Sequence, residues 1–204
     1  MAQYPHNFST LPRGDLIALD WPYAPETNPG RSHHGKNRVE ATDVEAVLRE
    51  DDFIVSKTDL KGRITYCNRI FVEYSGYSEE ELLGSPHNII RHPDMPKAVF
   101  KLMWEQIAAG NEFLGYVKNM AKNGSFYWTF ANVTPSLDKD KNPLGYFSVR
   151  RKPDRQKIAL VEPIYRRMLA EEAGGNGRAA LAKSAGILTE AQGGLDYREF
   201  ILSL

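Results

Sequence analysis

The chain has 204 residues, 42% hydrophobic and 11% aromatic, which suits one sizeable domain with extensions and leaves little room for two. Lys plus Arg equals Asp plus Glu at 26 each, so the charge surplus of a general nucleic-acid or anionic-membrane binder is missing. A single cysteine, Cys67, excludes an internal disulfide and a multi-thiolate metal site and points to the cytoplasm.

The longest uncharged stretch, Asn123 to Leu137, falls short of the roughly 20 residues a membrane-spanning helix needs. Near Met1 no apolar run follows a basic start, and Pro5, Pro12, Pro22, Pro25 and Pro29 break the region, so neither a secretory signal nor a span is expected. Residues 1–38, with their prolines and the His33-His34 pair, read as a flexible Pro-rich extension.

Thr42 with Glu45 forms a capping-box pattern, and Val44, Val47 and Leu48 recur at helical spacing, predicting an amphipathic cap helix over 39–50. The sensor-sized domain follows over 51–153. Phe53 to Thr58 and Ile64 to Cys67 read as a hairpin around Asp59-Leu60-Lys61-Gly62. Asn68 can cap a helix carrying Ile70, Phe71 and Tyr74, and Ser78 with Glu81 opens a single turn. A longer helix over 94–109 has Asp94 and Pro96 at its start and Val99, Leu102, Met103 and Ile107 on one face. Three strands, from Phe113, Phe126 and Leu144, should form a meander. Asp154 opens a helix over 154–172 that Pro163 should kink or interrupt. Six glycines between Gly174 and Gly194 make 173–204 read as a Gly-rich tail with a short apolar end. The order predicts an α+β domain: a five-stranded antiparallel sheet with short helices on one face, flanked by N- and C-terminal helices.

The segments Ser75-Gly76-Tyr77-Ser78 and Glu81-Leu82-Leu83-Gly84 after Asn68 resemble a PAS domain. The run Pro86 to Pro96, containing Arg91-His92-Pro93-Asp94-Met95-Pro96, followed by Trp104, Val117-Lys118-Asn119 and Tyr127-Trp128, is similar to the sensor domain of bacterial aerotaxis receptors. That resemblance covers about residues 50–170 and implies non-covalent FAD, a redox-reporting role, and cofactor-sensitive positions at Arg91, His92 and Asp94. Where the family commonly has a tryptophan this chain has Phe113, a smaller ring that cannot donate a hydrogen bond. The membrane anchor and methyl-accepting domain of such receptors have no counterpart here, implying a separate signalling partner.

A flavin needs an apolar slot, polar groups along its pyrimidine edge and a place for its phosphates. The start of the 94–109 helix, with Arg91 and His92 beside it, offers free N–H groups for a pyrophosphate; the bland reading makes Asp94 an N-cap and Arg91 its surface partner. On the strand from Phe126, Tyr127, Thr129, Ala131 and Val133 share one face, assigned to the slot. Phe126, Trp128 and Phe130 share the other, which needs covering by the 42–49 helix or by a second copy, hence an expected homodimer. Asn119 and Arg150, on neighbouring strands, can meet the ring's polar edge. With Asn68, Asn88, Trp104, Phe113 and Val117 these complete the expected cofactor-binding set.

Two rivals remain: a haem-bound gas sensor using His87 or His92 as axial ligand, and a ligand-free interaction domain filled by its own aromatics. Light-driven thiol chemistry is not expected, because Cys67 sits on a strand and reads as a buried filler. The sequence carries no phosphate loop with its lysine, no Gly-x-Ser-x-Gly and no His-Glu-x-x-His, so no enzyme is expected.

Overall fold

The computed structural model describes residues 39–175 and 177–204. The expected extension over 1–38 and its His33-His34 pair lie outside the described residues. Strands β1 (Ile54–Thr58) and β2 (Ile64–Cys67) come first, then helices α1 (Arg69–Ser75) and α2 (Glu79–Leu82) and a 3₁₀ turn at His87–Ile90. Helix α3 (Lys97–Ala108) leads to β3 (Phe113–Met120), β4 (Phe126–Leu137) and β5 (Pro143–Arg151), and α4 (Arg155–Gly174), α5 (Arg178–Gln192) and α6 (Tyr197–Ser203) close the chain. The five strands make one antiparallel sheet in the order β2-β1-β5-β4-β3. This is the expected α+β architecture with short helices gathered on one face.

Local chemistry fixes the early helices. The Asn68 side chain accepts from the Phe71 and Val55 amides at 3.0 Å and donates to the Phe53 carbonyl at 2.7 Å, capping α1 and tying it to β1. Ser78 and Glu81 complete a reciprocal capping box on α2. Phe71, Leu82, Ile90, Ile54, Ile64, Cys67 and Tyr127 then bury together between these helices and the sheet. Cys67 is thus the expected buried filler, and burial pushes its thiol pKa up.

Register sorts the sheet residues onto two faces, because directly opposed residues point the same way. Asn119 opposes Tyr127, Val117 opposes Thr129, Ala131 opposes Arg150, Arg150 opposes Ile54, and Ser148 opposes Ser56. These share the face packed against α1 and α3, where Trp104 of α3 lies edge-on to Tyr146 at 5.3 Å. On the opposite face Trp128 stacks on Tyr165 of α4 at 6.5 Å, and Ile158, Val161 and Met168 of α4 are buried with it.

Four expectations are corrected. The cap helix over 39–50 does not form: the segment is extended and pairs in parallel with the start of β4, Ala46 donating to the Phe126 carbonyl at 2.8 Å and the Phe126 amide to Val44 at 2.9 Å. Its Thr42 hydroxyl donates to the Gly124 carbonyl rather than capping a helix, and Gly124 (φ +89°) tolerates the crossing because a Cβ there would lie 2.2 Å from the Glu40 carbonyl. The Trp128 face is covered by α4 rather than by that helix or a second copy, so this stripe gives no ground for a dimer. The interruption expected at Pro163 does not occur: α4 runs through this exposed proline. The Gly-rich tail of 173–204 is two helices, its glycines Gly177 and Gly193 marking the ends of α5.

Candidate functional site

The face of the sheet beneath α1 holds an unusual polar group for an apolar interior. Arg150 of β5 is 3% exposed with no carboxylate within ion-pair distance among the described residues. Its Nε donates to Ser148 Oγ at 3.1 Å, and its Nη2 donates to Ser56 Oγ and to His87 Nε2, the latter at 3.0 Å. Its guanidinium also lies 4.8 Å from the centroid of the Phe71 ring, which stacks on His87 at 5.6 Å. Burial pulls the Arg150 pKa down to about 10, so it remains a cation at neutral pH.

His87 is the reciprocal case. Arginine can only donate, so Nε2 of His87 must accept and the ring proton belongs on Nδ1. Burial, with the Arg150 charge adding to it, lowers the His87 pKa to about 3, and the imidazole is neutral. Ser56 Oγ, 3.1 Å from Nε2, closes the triangle.

Beside this triangle two polar atoms have no hydrogen-bond partner among the described residues: Nη1 of Arg150 and the hydroxyl of Tyr127. Tyr127 is fully buried, and burial raises its pKa. On the neighbouring strand the Asn119 amide donates to Thr129 Oγ1 at 3.2 Å, and Thr129 donates to the Val117 carbonyl at 3.3 Å. Buried donors are ordinarily satisfied; two orphans beside an uncompensated cation mark a place suited to an electron-rich planar edge.

The structure therefore brings together Arg150, Asn119, Tyr127, Thr129, Ala131 and Val117 on one face, and places Arg91 next to them through its bridge to Asn119. His92 follows, 2% exposed, its Nδ1 accepting from the Asp94 amide at 3.1 Å and its Nε2 without a hydrogen-bond partner among the described residues. Burial, then Lys118, lower its pKa to about 4, the Asp94 carboxylate acting the other way.

Other expected site residues stand elsewhere. Asn68 spends its side-chain amide on the cap and strand contacts given above. Asn88 is exposed on the 3₁₀ turn. Asp94 is not the N-cap of α3, which starts after Pro96; its half-exposed carboxylate pairs with Lys118 at 2.7 Å. Phe113 stacks on Tyr197 of α6 at 5.5 Å, so a C-terminal helix covers it. Trp104 packs against Tyr146, over the far ends of the strands. The helix start expected to hold a pyrophosphate is already filled: Glu172 of α4 accepts from the Lys97 amide at 2.8 Å and the Ala98 amide at 3.0 Å.

Ser56, Phe71 and Ser148 were not in the expected set, and His87 only as an iron ligand. Ser56 was within reach, since it shares its face with Ile54 by alternation. The meeting of Ser56 with Arg150 depends on the β1–β5 register, which no local pattern carries. Among the described residues no group of three His, Cys, Asp or Glu is gathered for a metal ion, and no helix is long and apolar enough to cross a membrane.

A family model for the PAS fold matches residues 64–150. The chain is similar to the aerotaxis receptor of Escherichia coli (strain K12), 46% identical over 123 residues, covering 60% of this chain and 24% of that protein. It is also similar to the nitrogen fixation regulatory protein of Klebsiella pneumoniae, 27% identical over 105 residues, covering 52% of this chain and 21% of that one. The chain thus spans 24% or less of these two relatives. Among solved structures, the dark structure of the blue-light photoreceptor Aureochrome1 LOV is 21% identical with a TM-score of 0.46, covering 60% of this chain and 83% of that one.

Proposed function

We propose, from the match of residues 64–150 to a PAS-fold model and the similarity to the aerotaxis receptor of Escherichia coli, that the chain is a PAS sensor that binds FAD and turns the flavin's redox state into a change of shape for a downstream signalling partner. The observation that carries the reading is the buried, carboxylate-free Arg150 with its unpartnered Nη1, next to the unpartnered Tyr127 hydroxyl. Three donors, Arg150 Nη1, Tyr127 Oη and the Asn119 amide, sit on one apolar face, a donor set that fits the carbonyl and nitrogen edge of an isoalloxazine.

When bound, FAD supplies electron-accepting chemistry at a planar ring. Arg150 provides a fixed positive charge that favours the state with more electron density along the ring edge. With a flavin held there, Arg150 would be the group able to redistribute its hydrogen bonds between the ring edge and its partners His87 and Ser56. Arg150 is followed by Arg151, the last residue of β5, and α4 begins at Arg155, so a small movement at Arg150 reaches an output helix within one short connection. Arg91, bridged to Asn119, remains the candidate cation for the ligand's phosphates, but without the α3 amides that Glu172 occupies. The reading is of a cytoplasmic sensor, not an enzyme, with the redox or oxygen state of the cell as its input.

The absorbance spectrum of purified protein tests this. FAD binding gives two broad bands in the near ultraviolet and blue, and heat releases a flavin with the mass of FAD. A single sharp intense band would indicate haem instead; because Arg150 and Ser56 occupy the Nε2 lone pair of His87, that reading would fall to His92, whose Nε2 has no hydrogen-bond partner among the described residues. One observation favours the ligand-free module: Phe71, His87 and Arg150 already meet across the helix-to-sheet gap. Colourless protein that takes up no added FAD would support that module and end the flavin proposal.

A further inference from the structure

Helix α4 covers one half of the sheet face that carries Trp128, its buried side chains clustering with Trp128 and Tyr116 of β4 and β3. On the other half of that face, register sets Val55 of β1 opposite Val149 of β5, and Lys57 opposite both Phe147 of β5 and Tyr66 of β2. Phe53, one step before the buried Ile54, extends this row by alternation. Phe53 is 49% exposed and Tyr66 44%, and Val55, Phe147 and Val149 are half-buried. Among the described residues, none of the five packs into either buried cluster. A contiguous apolar row left open on a sheet is the mark of a contact surface.

Two cations flank the row. Lys57 Nζ lies 5.9 Å from the centroid of the Phe147 ring, and the Arg151 guanidinium 5.1 Å from that of Phe130. Both residues are exposed, and neither makes an ion pair among the described residues. Strands β1, β2 and β5 contain no Asp or Glu, so nothing on the face neutralises them. Four residues of β5, about 13 Å of strand, separate Phe147, which lies under Lys57, from Arg151. Strands β1 and β5 each have a neighbour on both sides, so their backbone groups are already used and the face offers side chains alone.

We propose that this open half of the sheet docks an acidic amphipathic helix of another protein, its apolar stripe on Val55, Phe147 and Val149 and its carboxylates at Lys57 and Arg151. A helix satisfies its own backbone, whereas an added strand would find no free edge here. The 13 Å between the cations is the rise of about nine helical residues, so carboxylates two to three turns apart reach both. A second copy docked through the same face would bring Lys57 and Arg151 against a surface without a carboxylate, and charge opposes that pairing. Anionic membranes are held by clusters of about four to eight cations, more than Lys57 and Arg151 supply. The surface does not depend on flavin, and its failure would leave the FAD reading untouched.

Two synthetic helical peptides of about five turns test it, with the same leucine stripe and either glutamates or lysines elsewhere. Each carries a dye and is titrated with the full chain, read by fluorescence anisotropy. The glutamate peptide should bind about tenfold or more tightly than the lysine peptide in low salt, and the gap should shrink as salt is added. Lys57→Glu combined with Arg151→Glu changes only exposed side chains and should reverse the preference. Val149→Ser should weaken both peptides a few-fold, by loss of apolar contact. Equal binding of the two peptides, no binding of either, or a preference that survives the double charge reversal would overturn the proposal. So would a dimer in light scattering that Val149→Glu dissolves, which gives the face to a second copy. Sedimentation with phosphatidylserine vesicles that the double reversal abolishes would give it to a membrane and overturn the proposal as well.

Discussion

Arg150 and Arg91 both bring a guanidinium into the apolar interior, on different terms. Arg91 lies over the Phe100 ring at 4.2 Å and donates to the Met95 carbonyl at 3.2 Å, and the charge of Glu172 works against the lowering of its pKa by burial, which still prevails. Arg150 is 3% exposed and has only hydroxyls, a neutral imidazole and a ring about it, with one nitrogen unused. A chain that surrounds one cation with its own acceptors and leaves the other short has marked where something else completes the set. Burying a charge without a counter-charge costs several kcal/mol, so Arg150 has no place in a core built for stability alone.

The largest expected effect comes from Arg150→Met. Retention of flavin through desalting should fall at least about tenfold, the loss of one or more charge-assisted hydrogen bonds. Ligand-free protein should keep its Tm or gain, because an apolar side chain replaces an unpaired buried cation while Ser56 and His87 still bond each other. A clear fall in the Tm of ligand-free protein would mean that the domain already satisfies Arg150, and the contrast with Arg91 would collapse.

Next is pH. Folded His87 holds out against protonation until about pH 3 and His92 until about pH 4, whereas both take protons near 6.5 when unfolded. The unfolded state therefore binds more protons below neutrality, and stability falls as pH falls. Thermal melts between pH 7 and pH 5 should show a declining Tm, with a slope of at most about 1.4 kcal/mol per pH unit for each histidine and less where the ring is partly solvated. In His87→Gln the decline should be shallower by about half, leaving the His92 share. An unchanged slope would mean His87 is not held neutral, and Arg150 would lose the acceptor assigned to it.

Arg91→Met sharpens the same contrast with the opposite sign. It deletes the Met95 bond and the Phe100 contact and strips Glu172 of a nearby cation, so the Tm should fall, by about 1–2 kcal/mol of stability. Equal and same-signed effects at the two arginines would leave no reason to single out Arg150.

Much of this was legible in the sequence where the cause is local. Asn68, Ser78 with Glu81, and the alternation of Tyr127, Thr129 and Ala131 were read correctly because capping and strand pleat act over two to four residues. The segment 39–50 misled for the same reason: Thr42 and Glu45 fit a capping box, but Thr42 bonds Gly124 and Glu45 pairs with Arg155 at 2.8 Å, long-range partners that override a weak helical pattern. The glycines of 174–194 suggest loose chain, yet Gly177 and Gly193 mark the ends of a helix, and no local pattern announces the contact of Glu172 with the start of α3, 75 residues away. The site was half visible: Asn119 and Arg150 come from strand position, but Ser56 and His87 reach Arg150 only through folding of segments 94 and 63 residues apart.

Thr129→Val is the smallest change and asks whether the Asn119 amide is aimed at a ligand. Thr129 both receives the Asn119 amide and donates to the Val117 carbonyl, so valine of nearly the same shape removes two bonds at once. Stability should drop by about 1 kcal/mol, a Tm shift of a few degrees. With Thr129 gone, Asn119 has only a long 3.5 Å contact to the Val117 carbonyl and becomes free to rotate. If Asn119 meets the flavin edge, that freedom should weaken flavin binding a few-fold beyond what the lost stability explains, seen by titrating FAD into apoprotein well below its Tm. If affinity stays at the parent value while the Tm falls, Asn119 serves only the sheet, and the ring edge is read by Arg150 and Tyr127 alone.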